Sequence, residues 1–563
     1  MNKKVLPLAV SAAAAVSMGS AQAAMYMNSG GTGEALIYPF YSAENGNNTL
    51  VSVVNTVDAN SPGAYKAVKV RILEGENSRE VLDFNLYLSP DDHFSFAITA
   101  GDDGFGYLTT NDNSCTVPDI KSVQPVKFRE YEYRNDKDVN DPAKATDYDN
   151  TGPERTLSGY IEIIEMGQLD PDSPAIIDKA TTGAINAAKS ITHSAAGVPA
   201  NCANLVAAWS KTDDVLGQWR ADAASATGKA IAKSEFLTTW TGGGLYGYGV
   251  VINVENGTAF GYDATAIADL VAATESGYTM HYLPGDKQPN LADKAITTEA
   301  IVVDGGKSAT VDFVAYDNAV LEYGSAQVAR LQAVNSLMMT TEVMNDYVTD
   351  ASIGAETDWI FTFPTKGFHV ASFPTAEPFS EVWSGQSACE PTVITLVDRE
   401  EANPPPPDKE SDEPDFSPPP PPTPGTPAKN DDVPLCFETT VMQVAAESAT
   451  NSTNLAFGIN SWLDAEDGWA TIKFAQPDDA TMDSKLDACY GVVNGGKTAQ
   501  ASSTAECVRR IQGDKAGTAV TLDGLPVVGF AVQKYVNGAL ASGTLSNYAA
   551  AIGHKTTVVS SGL

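Results

Sequence analysis

The segment of this chain best equipped for chemistry is an acidic loop, Asp136-Lys-Asp138-Val-Asn140-Asp-Pro-Ala-Lys-Ala-Thr-Asp147. Oxygen-bearing side chains at its first, third, fifth and twelfth positions (Asp136, Asp138, Asn140 and Asp147) match the spacing of a calcium loop, because a hard cation gathers ~6–8 oxygens from one tightly wound stretch. Two departures weaken the match. Position six is Asp141, where the sharp turn wants Gly, and Asp147 is one carbon shorter than the bidentate Glu usual at the end. The competing reading is a solvated polar loop, and calcium is the one cofactor the chain proposes.

Two glycine-rich matches invoke nucleotides. Gly491-Val-Val-Asn-Gly-Gly-Lys497-Thr498 satisfies G-x-x-x-x-G-K-[ST], and Gly242-Gly-Gly-Leu-Tyr-Gly247 satisfies G-x-G-x-x-G. A phosphate cradle joins a buried strand to the start of a helix. The first match lies between two cysteines of an acidic chain, and the second precedes a strand, so both are expected to be turns. The five histidines, His93, His193, His281, His369 and His554, are scattered without an H-x-x-x-H pair or a Cys/His cluster, and no H-E-x-x-H or G-x-S-x-G is present. Acid pairs such as Asp91-Asp92, Asp102-Asp103 and Asp213-Asp214 are expected on solvated faces in a chain with 71 acids. Trp383, Trp462 and Trp469 would suit a sugar-stacking platform, although tryptophan in β-rich modules is more often core.

The beginning of the chain sets an address for whatever these residues do. Lys3 and Lys4 precede an apolar run from Val5 to about Val16 and a small-residue stretch ending Ala21-Gln22-Ala23, the three regions of a cleavable secretory signal. Residues 1–23 are therefore expected to be removed. The run is too short for a permanent span of ~20 residues, and no later stretch is longer, so membrane insertion is not expected. A formal net charge of -36 repels nucleic acid and anionic surfaces, which removes both as direct partners. The six cysteines, Cys115, Cys202, Cys389, Cys436, Cys489 and Cys507, read as disulfides in an exported chain. Fifteen pairings are open. Sequential pairing closes the shortest loops and is the expectation: Cys115–Cys202, Cys389–Cys436 and Cys489–Cys507.

The elements that must position these residues are mostly strands. Ala35–Tyr41, Thr49–Thr56, Ala67–Leu73 and Val81–Leu88 are short, β-branched or aromatic, and separated by Asn/Gly or Pro/Gly turns. Their alternation predicts antiparallel, Ig-like β-sandwich modules with one face of each sheet buried. Strands resume over Leu245–Val254, Ala309–Ala315 and Asp358–Phe363. Ala-rich spacing predicts helical insertions over about 175–232 and 326–347. The divisions expected are a signal at 1–23, a β-sandwich region at 24–400 in one or two modules, a Pro-rich acidic tract at 401–432, and a β-rich module at 433–563. That tract is a free linker, or a stapled loop if Cys389 pairs with Cys436.

Four segments, Gly33–Tyr41, Lys66–Pro90, Asp358–Val370 and Leu525–Gly538, together resemble a family of exported, β-rich proteobacterial proteins. The resemblance runs from near residue 24 to His554, implies an exported β-rich protein, and brings no catalytic residues. The functional expectation is a non-enzymatic, structural or adhesive protein of the cell surface or medium, binding itself or other surface proteins. The alternatives are a periplasmic location, and a secreted hydrolase or carbohydrate-binding protein with a site built from distant loops.

Overall fold

Short runs rich in Val, Ile, Tyr and Phe favour the pleated backbone, and in the computed structural model they form an almost entirely antiparallel β protein. The structure describes residues 24–133, 151–173, 186–212, 215–217, 219, 235–313, 325–370, 377–379, 383–399, 432–445, 447–459, 467–474, 492–493, 497–498, 509–541 and 544–563. The first fifteen strands, in chain order, are Tyr26–Met27 (β1), Ala35–Ser42 (β2), Asn47–Asn55 (β3), Tyr65–Glu74 (β4), Glu80–Leu88 (β5), His93–Ala100 (β6), Gly106–Thr109 (β7), Cys115–Val117 (β8), Val126–Lys127 (β9), Ser158–Leu169 (β10), Lys211–Thr212 (β11), Val215–Leu216 (β12), Leu245–Asn253 (β13), Thr258–Asp263 (β14) and Thr265–Ala268 (β15).

Two sheets pack face to face. One runs β1-β15-β2-β10-β4-β5-β8, the other β14-β13-β3-β6-β7-β9. Tyr38, Phe40, Val70 and Phe84 from the first meet Val51, Phe94, Phe96 and Leu108 from the second. Phe84 sits edge-on to Phe94 and Phe96 with ring centroids 6.1 and 6.3 Å away, the arrangement aromatic quadrupoles prefer.

Alternation in Lys66-Ala-Val-Lys-Val-Arg-Ile-Leu73 predicts one wet face for β4, and the structure corrects this: the strand is buried on both faces. The face carrying Lys69 and Arg71 lies beneath the later segment around Tyr282 and Leu283, whose carbonyls accept from Asn85 (3.0 Å) and Lys69 (3.2 Å). Burial is tolerated because each cation finds an acid across the ladder. Lys69 pairs with Asp83, and Arg71 donates to Glu80 at 2.9 Å and to Glu162, its direct cross-strand partner. At the sheet's ends Lys66 meets Glu165 (3.0 Å) and Arg155 meets Glu74 (2.7 Å). Pairing and hydrogen bonding offset part of the desolvation cost, and burial still pushes the Glu162 carboxyl up and Glu80 up to about 7.

The tract 401–432 divides the chain in sequence, yet the sheets cross it. Ala355–Thr362 pairs with Thr439–Gln443 on one side and Val528–Ala541 on the other. Glu342–Val348 pairs with Asp467–Lys473 and Lys555–Thr557, and Lys307–Asp312 meets Arg510–Lys515. Phe530 and Val532 from this half enter the first core, where Phe530 stacks on Tyr262 at 4.7 Å.

Helix is confined to short pieces. Ala187–Ile191 and Cys202–Ala208 fall within the expected insertion at 175–232. The helix expected over 326–347 stops at Ser336, and Met339–Thr340 and Glu342–Val348 are strands instead. Thr340, Thr341, Val343, Tyr347 and Val348 favour the extended backbone, and seven cross-strand pairs with Asp467–Lys473 outweigh the local helical tendency of the preceding turn. Two of the expected disulfides are formed, Cys115–Cys202 and Cys389–Cys436. The second lies beside the Glu390–Leu435 pair of the ladder between Glu390–Asp398 and Asp432–Leu435, so the chain before the Pro-rich tract is bonded to the chain after it. Cys489 and Cys507 lie outside the described residues.

Candidate functional site

The seven-stranded sheet is covered on both sides, whereas the six-stranded sheet turns one face outward. On that face the register sets Tyr248 opposite Ser52 and Val250 opposite Leu50, with Tyr246 opposite Val54. Farther across, Ser52 faces Ser95, Leu50 faces Ala97, Val54 faces His93, and Ala97 faces Thr109. Leu50 and Tyr248 are each 43% exposed and Tyr246 is 38% exposed, so large apolar side chains stand in solvent here.

The local sequence explains the arrangement. In Leu245-Tyr-Gly-Tyr-Gly-Val250 each outward tyrosine alternates with an inward glycine. A Cβ on Gly247 would lie 1.9 Å from the Tyr38 hydroxyl, and one on Gly249 would lie 2.3 Å from the Tyr262 hydroxyl. The inner tyrosines fill the room the glycines leave. Tyr38 donates to the Ser52 carbonyl at 2.7 Å, and Tyr262 donates to the Phe40 carbonyl. The outer pair is thereby held on a strand locked from beneath.

Leu50, Ser52, His93, Ser95, Thr109, Thr110, Asn111, Gln124, Tyr248 and their neighbours line an open, shallow cleft of about 800 Å³. None of its fourteen lining residues is Asp, Glu, Lys or Arg, although the whole chain carries 106 such residues. Charge stays at the margin: Asp263 flanks Tyr248, and Lys127 is engaged by Asp103 at 2.7 Å. The Thr110 hydroxyl donates to the Ser95 carbonyl (2.6 Å) and its N–H donates to the Gln124 side chain (2.7 Å), fixing one wall. Ser52 is 4% exposed, and its hydroxyl has no hydrogen-bond partner. Hydroxyls, amides, one imidazole and aromatic rings make this a surface for contact and hydrogen bonding.

Carboxyl chemistry lies elsewhere, in closed interior. Burial and the neighbouring Glu165 carboxylate push Glu34 up to about 8. Its two oxygens accept from Trp240 (3.0 Å) and the Val271 N–H (2.9 Å), while Glu165 accepts from Lys66 and from the Gly243 N–H at 2.9 Å. A carboxyl raised beside a second carboxylate invites an acid–base reading. Here Glu34 is 3% exposed and Glu165 fully buried, with every oxygen engaged, so the pair clamps the 240–244 segment onto the sheet. Glu438 is also buried and raised well above the carboxylate range by desolvation, beside Lys366, Glu74 and Arg155.

The residues singled out in sequence do not assemble into one place. Asp136, Asp138, Asn140 and Asp147 lie outside the described residues, among which no group of three or more His, Cys, Asp or Glu is placed to hold a metal ion. Gly242–Gly244 is an irregular segment leading into β13, and Val492–Val493 pairs antiparallel with Lys497–Thr498. His281 packs against Trp209, Trp219 and Phe236 at 4.7–4.9 Å between centroids. His554 stacks on Phe361, and burial pushes it down to about 4. His369 bonds Asn335 at 2.9 Å, and His193 sits 3.6 Å from Asp92. Only His93 reaches the open face. Trp383 packs partly buried against the core around Trp359, and Trp469 is 43% exposed on its strand. Sequence reading missed Tyr246 and Tyr248, whose signal was the Tyr-Gly-Tyr-Gly alternation. Comparison with family models, curated proteins and solved structures finds no match to this chain.

Proposed function

We propose that this protein is an exported, non-enzymatic contact protein of the cell surface or medium, whose working surface is the outward face of the six-stranded sheet. The observation that carries the reading is the charge-free, tyrosine-bearing cleft on an otherwise strongly acidic chain. Exposed apolar patches rimmed by polar groups mark interaction surfaces, and aromatic residues are the side chains that anchor such contacts. Export is supported by the residue pattern of Met1–Ala23 and by two disulfides, which persist in oxidising compartments. No helix among the described residues is long and apolar enough to cross a membrane.

The reading is tested by fractionating native cultures and detecting the protein in medium, outer membrane and periplasm. Recovery from the cell surface or the medium is the expected result. Confinement to the periplasm as a freely soluble monomer would overturn the surface role.

A further inference from the structure

Resting on the reading of this face as the contact surface, the geometry points to an uncharged polysaccharide as its occupant. We propose that sugar rings lie across Tyr246 and Tyr248 and that their hydroxyls bond to the hydroxyls and amides of the floor and wall.

Charge argues first. A polyanion would meet no cation in the lining and would approach a chain of net charge -36. A polycation would find no acid in the lining itself, only Asp263 and Asp112 at its margin, the latter already accepting from the Ser95 N–H at 3.2 Å. A second copy of the chain brings the same repelling charge. A neutral ligand meets none of these obstacles.

The pattern of the floor argues next. Leu50 and Val250 form an apolar row, and directly beside it Ser52 and Ser95 form a hydroxyl row. Pyranose rings present the same alternation, with C–H faces that stack on aromatic and aliphatic carbon and edges that carry hydroxyls. Tyr246 and Tyr248 stand on one side of one strand about 7 Å apart along the chain, so consecutive sugars would meet consecutive rings. Ser52 lines the cleft, and its hydroxyl is enclosed beneath the floor without a partner, so a sugar hydroxyl seated between Tyr248 and Ser95 would bond it once the side chains above it turn aside. The cleft volume, about 800 Å³, falls within the ~300–1,000 Å³ of small-ligand sites and is open at the surface, as an extended polymer requires.

The test is affinity gel electrophoresis of the full chain through gels carrying dextran, xylan, galactomannan or mixed-linkage glucan, with alginate and polygalacturonate as anionic controls. The variants are Tyr248→Ala, Ala97→Glu, which places a charge on the floor, and Tyr548→Ala, an exposed tyrosine on a different sheet. Circular dichroism and urea midpoints matched to the parent show that each is folded. The expected result is retardation by at least one uncharged polymer, insensitive to salt, weakened about tenfold or more by Tyr248→Ala and Ala97→Glu and unchanged by Tyr548→Ala. Retardation by the anionic polymers alone, by none, or equally in Tyr248→Ala overturns the assignment. Protein-coated beads applied to native cells separate the two claims. Attachment lost in Tyr248→Ala without any uncharged-polymer binding sinks the polysaccharide and keeps the contact face. Attachment unaffected by both cleft variants sinks both.

Discussion

Replacing Glu34 by Gln should invert the order of stability between variant and parent as pH rises. In the parent, burial and the Glu165 carboxylate lift Glu34 to about 8 from an ordinary 4.5. The folded chain therefore holds a proton that the unfolded chain releases above its ordinary value. That proton-linked stability is fully present below about pH 4.5, is lost at about 1.4 kcal/mol per pH step, and is gone above about pH 8. Across the window it amounts to roughly 4–5 kcal/mol. Glu34→Gln does not titrate, but its amide must turn an N–H₂ toward either Trp240 or the Val271 N–H, both donors. The lost bond costs about 1–2 kcal/mol at every pH. Near pH 4.5 the parent should be more stable by that amount, the curves should cross near about pH 6, and at about pH 8 the variant should lead by about 2–3 kcal/mol. Urea unfolding followed by tryptophan fluorescence measures this, and taking the difference at each pH cancels other raised carboxyls such as Glu80 and Glu235. Parallel curves from about pH 5 to about pH 8 would refute the reasoning and with it the clamp on 240–244.

Three further outcomes follow from the interior. Arg71→Met strands Glu162 and Glu80 without their cation and should cost about 3–5 kcal/mol in urea unfolding, whereas Arg71→Met with Glu162→Leu should recover most of it. Gly247→Ala places a Cβ 1.9 Å from the Tyr38 hydroxyl and 2.3 Å from the Ser52 carbonyl, and should destabilise by about 3 kcal/mol or more, partly relieved by Tyr38→Phe. Cys115→Ser with Cys202→Ser opens a link across a sequence separation of 87, worth about 4–5 kcal/mol by chain entropy; the double variant should melt below the parent without reductant, and the gap should close when both chains are fully reduced.

Local structure was legible where side-chain period and turn residues agree. Strands expected at 35–41, 49–56, 67–73 and 81–88 appear at 35–42, 47–55, 65–74 and 80–88. Alternation fails to tell a wet polar face from one buried in ion pairs, because Lys69 and Arg71 look the same in both; their partners Asp83 and Glu162 become visible only in the register. Pairings such as Ala355 with Tyr535 join strands 180 positions apart, and nothing local in either strand announces the other. Thr340-Thr-Glu-Val343 carries the extended preference that ends the helix, but it follows a twelve-residue helix whose Ala, Gln, Arg and Leu dominate a window placed across both. The candidate face was hidden for a related reason. No single segment of it carries a motif, and it exists only as β13, β3, β6 and β7 laid side by side.

Hydroxyl-radical footprinting of the protein while attached to native cells, read by mass spectrometry, tests the contact face most directly. Tyr246, Tyr248 and His93 should lose labelling on attachment, while Tyr548 and Trp469, exposed on other sheets, should label as in free solution. Undiminished labelling of Tyr246 and Tyr248 in the attached protein would contradict the account.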